Sequence, residues 1–184
     1  GLDTWESLKK ATMLVGRGGM ASFYQWMIAA HGFTEAQVKP YTFNTAPFLA
    51  DKRSAQQGYV TSEPYAVETQ GGFKPNIFLL ADYGYDTYST TIETTVDMIE
   101  KKPDLVQRFV DASIIGWYNY LYGDNKAANA LIKKDNPDIN DAQIAFSIAK
   151  MKEFGIVDSG DSLTPVSYTH LRAHETVLDL VCRL

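Results

Sequence analysis

The first half of the chain alternates short apolar runs, which are typical of buried strands, with short segments of helical periodicity. Residues 20–32 carry apolar side chains at helical spacing and stop at Gly32, and residues 46–55 form a second, shorter helical pattern. A further helix is expected to open with Pro64. Strands that alternate with helices predict an α/β layer with a mostly parallel sheet. The predicted strands are residues 10–16, 38–43, 58–62, 76–82 and 88–95.

From residue 96 onward the pattern becomes helical. Residues 101–124 have apolar side chains about four apart, Pro103 in the first turn and Gly123 at the end, which predicts a long amphipathic helix. Another helix is predicted over residues 139–155, where Asn140 begins a capping-box spacing. The aromatic stripe on these helices indicates packing and not a ligand cage.

Composition narrows the class of protein. The chain has 184 residues, 45% of them hydrophobic and 12% aromatic, which is enough for a packed core in one domain or one lobe. The net charge is -5 and no basic run occurs, which argues against nucleic acid and against an anionic membrane surface as partners. No apolar stretch approaches the roughly eighteen residues that a membrane-spanning helix needs. The start at Gly1, without an initiator Met or a signal-peptide pattern, predicts a fragment of a longer protein.

Three stretches of the chain resemble the NMT1/THI5-like family of ABC-transporter substrate-binding proteins: residues 8–43, 58–68 and 99–121. The resemblance runs through residues 3–163, and the order and spacing of the stretches are more specific than any one of them. It implies a periplasmic-binding-protein-like (type II) α/β fold, in which two lobes joined by a hinge close on a small ligand. The family includes carriers of thiamine-precursor pyrimidines, riboflavin-like compounds, sulfonates and nitrate.

The resemblance also implies a domain organisation. Residues 1–87 are expected to form the second α/β lobe, and residues 88–164 the return hinge strand and helices of an incomplete first lobe. The implied protein carries out no chemistry and holds no cofactor or metal. It delivers its small-molecule ligand to the ABC permease of the cognate importer, outside the cytoplasm, and is monomeric when full length.

Residues 165–184 continue none of this pattern and resemble a translated sequencing-library adaptor. Residues 166–175 and residues 179–184 can both be read in one frame from the fixed adaptor sequence, on either side of a variable index. The tail is therefore predicted to be non-native.

The tail contains the only cysteine and two of the three histidines, which would otherwise suggest a metal site or a nucleophile with its base. If the tail is non-native, His170, His174 and Cys182 are not a site. The rest of the chain then has no cysteine and a single histidine, His31, which is expected at a helix end and not as a ligand. Zinc sites, cysteine nucleophiles and Ser-His-Asp triads lose their candidates.

A glycine-rich turn at residues 16–21 lies between a predicted strand and a predicted helix and has the spacing of a dinucleotide-binding turn. That function needs a carboxylate near the end of the next strand, where this chain has Asn44, so the dinucleotide interpretation is disfavoured. The turn is instead predicted to offer N–H groups of Gly18, Gly19 and Ser22 to a polar ligand group. The alternative is a purely structural tight turn.

Glu63 and Tyr65 follow the third predicted strand at the carboxyl edge of the sheet, where α/β folds bind ligands. Glu63 is predicted to accept hydrogen bonds from the ligand and Tyr65 to stack on it; the alternative is that Glu63 only caps the helix opened by Pro64. Tyr83 belongs to a cluster with Tyr85 and Tyr88 that would form a cleft wall or hinge, or surface tyrosines without a role.

Donor, acceptor and aromatic groups together favour a small nitrogen heterocycle, of the pyrimidine or flavin type, over the alternative ligands sulfonate and nitrate. Two other functions stay open for the same fold. One is a THI5-like pyrimidine-synthesis enzyme, although those enzymes carry a cysteine-rich motif that the chain before its tail lacks. The other is the sensory domain of a membrane receptor.

Overall fold

The computed structural model of the chain describes residues 1–85, 87, 92–157 and 179–182, the last four as backbone only. The chain forms two compact units: the first contains residues 1–85, 87 and 179–182, and the second contains residues 92–157.

The first unit is built on a five-stranded sheet in the order β2-β1-β3-β5-β4. β1 pairs in parallel with β2 on one side and with β3 on the other, whereas β5 runs antiparallel to both β3 and β4. The parallel strands with helices between them confirm the predicted mixed α/β class. The strands are β1 (Thr12–Val15), β2 (Val38–Pro40), β3 (Ser54–Gly58), β4 (Asn76–Leu79) and β5 (Asp179–Cys182).

In the described part of the chain, four α-helices connect β1, β2, β3 and β4, and local sequence explains where they stop. α2 and α4 each end at a glycine in the left-handed conformation, Gly32 and Gly72, both with φ of 71°. Pro64 lies in the first turn of α4, as its sequence position predicts. The helices are α1 (Arg17–Ala21), α2 (Phe23–His31), α3 (Ala46–Ala50) and α4 (Glu63–Gly71), with short 3₁₀ helices over Trp5–Lys10, Glu35–Gln37 and Leu80–Tyr83.

The prediction of the third strand was wrong. The strand is Ser54–Gly58 and is buried throughout, and residues 59–62 form the turn into α4. Its sequence, SAQQG, has no apolar run, so the hydrophobic pattern predicts the strand in the turn that follows it. The helix predicted over residues 46–55 ends at Ala50 because the Asp51 carboxylate accepts a hydrogen bond from the Arg53 N–H, which turns the chain.

The boundaries of other predicted elements differ less from the observed ones. The helix predicted over residues 20–32 is two helices, α1 and α2, separated at Ser22. The fourth predicted strand ends at Leu79 and continues as the 3₁₀ helix. Of the fifth predicted strand, residues 88–91 lie outside the described part, and residues 92–95 have no regular secondary structure.

The core of the first unit lies on both faces of the sheet. Met13 and Val15 face one side and Leu14 the other, following the alternation of a strand. The first face is rich in aromatic rings, and Trp5 stacks on Tyr83 with ring centroids 3.9 Å apart. Its fully or largely buried members include Trp5, Leu8, Met13, Phe23, Tyr24, Met27, Phe33, Phe78 and Leu80; the other face holds Leu14, Tyr41, Phe48 and Val67.

The second unit is helical: α5 (Val96–Lys101), α6 (Pro103–Tyr122), α7 (Lys126–Asp135) and α8 (Asp141–Glu153). The helices predicted over residues 101–124 and 139–155 are confirmed as α6 and α8, and the Asn140 side chain accepts a hydrogen bond from the Gln143 N–H at 2.9 Å. The sequence did not predict α7. Within the described ranges, no helix is both long and apolar enough to cross a membrane.

The backbone of residues 179–182 fills the gap between β3 and β4. Strand pairing uses backbone groups that nearly every residue carries, so it is independent of where these residues originate. The interpretation of residues 165–184 as adaptor-derived stays a prediction.

Candidate functional site

The carboxyl ends of β1, β2 and β3 share one edge of the sheet, because the three strands are parallel and adjacent. Each strand delivers a different group there. β1 leads into Gly16 and the turn of α1, β2 leads to Tyr41, and β3 ends beside Gln57 and leads to Glu63. We call the edge formed by Gly16–Ser22, Tyr41–Asn44 and Gln57–Glu63 the carboxyl-edge site. Ligands of α/β sheets bind at such an edge.

Glu63 is the buried charge of this site, with only 9% of its surface exposed. Its Oε2 accepts a hydrogen bond from the Tyr59 N–H at 2.7 Å, and its Oε1 accepts one from the Tyr41 hydroxyl at 3.2 Å. Burial, and then the charge of Glu63 and this hydrogen bond, hold the pKa of the Tyr41 hydroxyl well above its usual value. Tyr41 therefore stays protonated and donates to the carboxylate.

The alternative role for Glu63 is that of a helix cap. The N-cap of α4 is Ser62, and Glu63 is the first residue of the helix. Both carboxylate oxygens of Glu63 accept hydrogen bonds from groups outside the helix, so they do not cap it. A carboxylate oxygen has room for a further donor beside the one that it already accepts. Glu63 can thus serve an incoming N–H or O–H group while its own position is fixed from two sides.

The glycine turn is fastened to the neighbouring strand. The Gly16 N–H donates to Gln57 Oε1 at 2.8 Å, so this amide is already used. Gly19 is buried, and a Cβ added there would lie 2.4 Å from Phe23 Cε1 and 2.5 Å from Gln57 Oε1. The close approach of α1 to Phe23 and Gln57 therefore requires glycine at this position, which is a structural reason for one of the predicted donors.

The other two predicted donors lie on the surface of the turn. Gly18 is exposed, and a Cβ there would meet nothing within 4 Å. The Ser22 hydroxyl donates to the Gly18 carbonyl at 2.8 Å and the Ser22 N–H to the Gly19 carbonyl at 3.2 Å, so Ser22 stabilises the turn from within. Gly16 is the N-cap of α1 and offers no side chain to its first amides.

Phe43 is a member of the site that the sequence did not suggest. Its backbone is left-handed, with φ of 61°, and the residue is 74% exposed. The centroid of its ring lies 5.3 Å from that of Tyr41. Sequence reasoning also missed Tyr41 and Gln57. The aromatic pair at the end of β2 was a usable signal for Tyr41 and Phe43, whereas Gln57 was hidden by the misplaced third strand.

The model of the NMT1/THI5-like family matches residues 8–128, a span that includes the whole carboxyl-edge site. The chain belongs to the NMT1/THI5-like family. This confirms the resemblance found in the sequence and, with the observed α/β architecture, the periplasmic-binding-protein-like fold class.

One relative of this NMT1/THI5-like chain is the riboflavin-binding protein RibY of Chloroflexus aurantiacus. The two are 32% identical over 117 residues, which are 61% of this chain and 32% of the relative. The match thus spans about a third of the relative's length. No solved structure matches the chain.

The two predicted tyrosines of this family member lie in different surroundings. Tyr65 is half-buried on α4, two residues after Glu63. Tyr83 stacks on Trp5 within the aromatic core, and burial, followed by the charge of Asp82, raises the pKa of its hydroxyl. The structure therefore brings Gly18, Gly19, Ser22, Glu63 and Tyr65 to one edge and places Tyr83 in the aromatic cluster.

His31 is the last residue of α2, as expected, and it joins the same aromatic cluster. Its Nδ1 accepts a hydrogen bond from Trp5 Nε1 at 3.2 Å, so the proton of the neutral ring is on Nε2, which donates to the Tyr83 carbonyl at 3.2 Å. Across the described part of the chain, no three His, Cys, Asp or Glu side chains could together hold a metal ion. His170 and His174 lie outside that part, and Cys182 is described as backbone only.

The second unit has a separate cavity of about 400 Å³ between α7 and α8. Its polar lining includes Asn125 and Asp141, and Lys133 pairs with the Asp141 carboxylate at 2.6 Å. The Asn129 Nδ2 donates to Asn125 Oδ1 at 3.0 Å, and Asn129 Oδ1 is buried without a described partner. Among the described residues, this cavity is a competing location for a ligand.

Proposed function

We propose that this chain is the substrate-binding component of an ABC importer and binds a small nitrogen heterocycle, of the flavin or pyrimidine type, at the carboxyl-edge site. The observation that carries the proposal is the buried carboxylate of Glu63, held by the Tyr59 N–H and the Tyr41 hydroxyl at the edge where α/β sheets bind ligands. Family membership and a relative named as a riboflavin-binding protein support it.

The charge of the site favours a neutral ligand with N–H groups. A buried carboxylate accepts strong hydrogen bonds, and a hydrogen bond to a charged group contributes about 1.5–3 kcal/mol. The same carboxylate repels nitrate or a sulfonate, because two like charges in a poorly solvated cleft raise each other's free energy. Arg17, the cation of the glycine turn, is exposed and therefore offsets little of this repulsion.

Membership of the NMT1/THI5-like family supports the remaining parts of the proposal. The chain binds its ligand without changing it, works outside the cytoplasm as a monomer when full length, and hands the ligand to a cognate permease. No nucleic acid partner is proposed, and the net charge of -5 agrees with that.

Calorimetry on the full-length protein with four probes tests the proposal: riboflavin, an aminopyrimidine precursor of thiamine, nitrate and methanesulfonate. We expect binding of at least one heterocycle and a loss of about 1–3 kcal/mol of binding free energy in Glu63→Gln, since the amide accepts weaker hydrogen bonds than the carboxylate. Glu68→Gln is the matched control, because Glu68 is exposed on the same helix. Micromolar binding of nitrate or methanesulfonate that Glu63→Gln leaves unchanged or strengthens would overturn the heterocycle proposal.

A further inference from the structure

Both the backbone conformation and the solvent exposure of Phe43 are energetically unfavourable. Phe43 is the non-glycine residue with a positive φ among the residues that the structure describes, and a Cβ disfavours that conformation. The residue is 74% exposed, so the side chain gains little from burial. Strained backbone that persists in a native structure points to a role other than stability, and it clusters at ligand sites.

The residues on either side of Phe43 hold it in this state. The Tyr41 N–H donates to the Val15 carbonyl at 3.0 Å and the Tyr41 hydroxyl to Glu63, which fixes the chain before Phe43. After it, the Asn44 side chain accepts a hydrogen bond from the Ala46 N–H at 2.9 Å, and Thr45 is buried. With both flanks fixed, the ring of Phe43 is presented at the edge of the sheet.

The position of the ring relates it to the buried charge. Its centroid lies 5.3 Å from that of Tyr41, whose hydroxyl is 3.2 Å from Glu63 Oε1. An aromatic face and a hydrogen-bond acceptor therefore belong to one continuous arrangement. A planar heterocycle needs both, a surface for its face and an acceptor for its N–H edge.

We propose that Phe43 is a specificity-determining platform that stacks on the planar ring of the ligand while Glu63 accepts hydrogen bonds from the edge of that ring. The inference rests on the proposed function and adds the chemical class that the platform selects: flat, neutral, conjugated rings over saturated or tetrahedral solutes. Tyr59, whose N–H holds Glu63, is the second aromatic residue exposed at this site, at 39%.

The test uses the full chain, riboflavin as the probe, and a substitution that separates function from stability. Phe43→Gly removes the ring and also relieves the backbone, since glycine favours positive φ. We expect its melting temperature to be unchanged or higher, and its Kd for riboflavin to rise about fivefold to a hundredfold, the range for the loss of one stacked ring. Phe43→Tyr keeps the ring and should keep the Kd within about twofold.

Phe109→Ala is the matched control, because Phe109 is another exposed phenylalanine but lies on the regular helix α6. Its Kd for riboflavin should equal that of the wild type. If riboflavin binds and Phe43→Gly leaves the Kd unchanged, the platform is overturned while the proposed function stands. A lower melting temperature of Phe43→Gly with an unchanged Kd for riboflavin would show that Phe43 stabilises the fold and does not bind the ligand. If neither riboflavin nor the aminopyrimidine binds the wild type, the proposed function and the platform both fall.

Discussion

Substituting Gly19 by alanine tests the packing that holds the glycine turn. The new Cβ would lie 2.4 Å from Phe23 Cε1 and 2.5 Å from Gln57 Oε1, far inside van der Waals contact. Phe23 is fully buried and cannot swing out, and Gln57 Oε1 is held by the Gly16 N–H. Forcing a methyl group into a packed core costs about 1–3 kcal/mol. Displacing Gln57 loses a hydrogen bond that contributes about 0.5–1.5 kcal/mol.

Alanine also has a higher helix propensity than glycine, which offsets about 1 kcal/mol of this cost. We therefore expect Gly19→Ala to lower the free energy of unfolding by about 2 kcal/mol. Urea denaturation followed by circular dichroism measures it, and the slope with denaturant should not change. Gly18→Ala is the control in the same helix: with open space at its Cβ, it should raise stability by about 0.5–1 kcal/mol. Equal effects of the two substitutions would refute the packing argument.

The remaining predictions concern a buried hydroxyl and an exposed helix face. Burial, and then the charge of Glu35, raise the pKa of Tyr24 to about 12 in the folded chain. The folded state thus holds this proton more tightly, so the stability that it contributes is complete below pH ~10 and is lost as the pH rises through ~12, at about 1.4 kcal/mol for each pKa unit. Across this window, the free energy of unfolding should fall less steeply with pH in Tyr24→Phe than in the wild type. Parallel pH dependences of the two proteins would contradict the assignment of the raised pKa to Tyr24. On α6, Leu105, Phe109 and Ile115 are exposed apolar residues, so the chain should bind a hydrophobic dye or self-associate, and Phe109→Glu should reduce both. A monomer without dye binding would contradict this prediction.

The sequence predicted the regular parts of the fold because their signals are local. The helix over 101–124 has its apolar spacing, its proline and its final glycine within one segment, and β1 is a short apolar run that ends at Gly16. The carboxyl-edge position of Glu63 also followed from the alternation of strands and helices, even though the strand before it was misplaced.

The parts of the fold and of the site that the sequence does not predict depend on contacts between residues far apart in the chain, which no local pattern encodes. β3 is a central strand whose Gln56 is fully buried, with neither side-chain polar atom bonded to a described group, so counting apolar residues could not find it. The left-handed backbone of Phe43 depends on Tyr41 and Thr45 being held by other elements. The sequence places Tyr83 in a cluster of nearby tyrosines, but its stacking partner is Trp5, near the start of the chain.

The most direct test of the central claim is to map the ligand contacts residue by residue. Backbone amide chemical shifts of the isotopically labelled chain would be recorded during a titration with riboflavin, or with the aminopyrimidine if that probe binds more tightly. We expect shifts concentrated in the carboxyl-edge site, at residues 16–22, 41–44 and 57–63. Shifts concentrated instead around the cavity between α7 and α8, at residues 125–129 and 141–152, would contradict it.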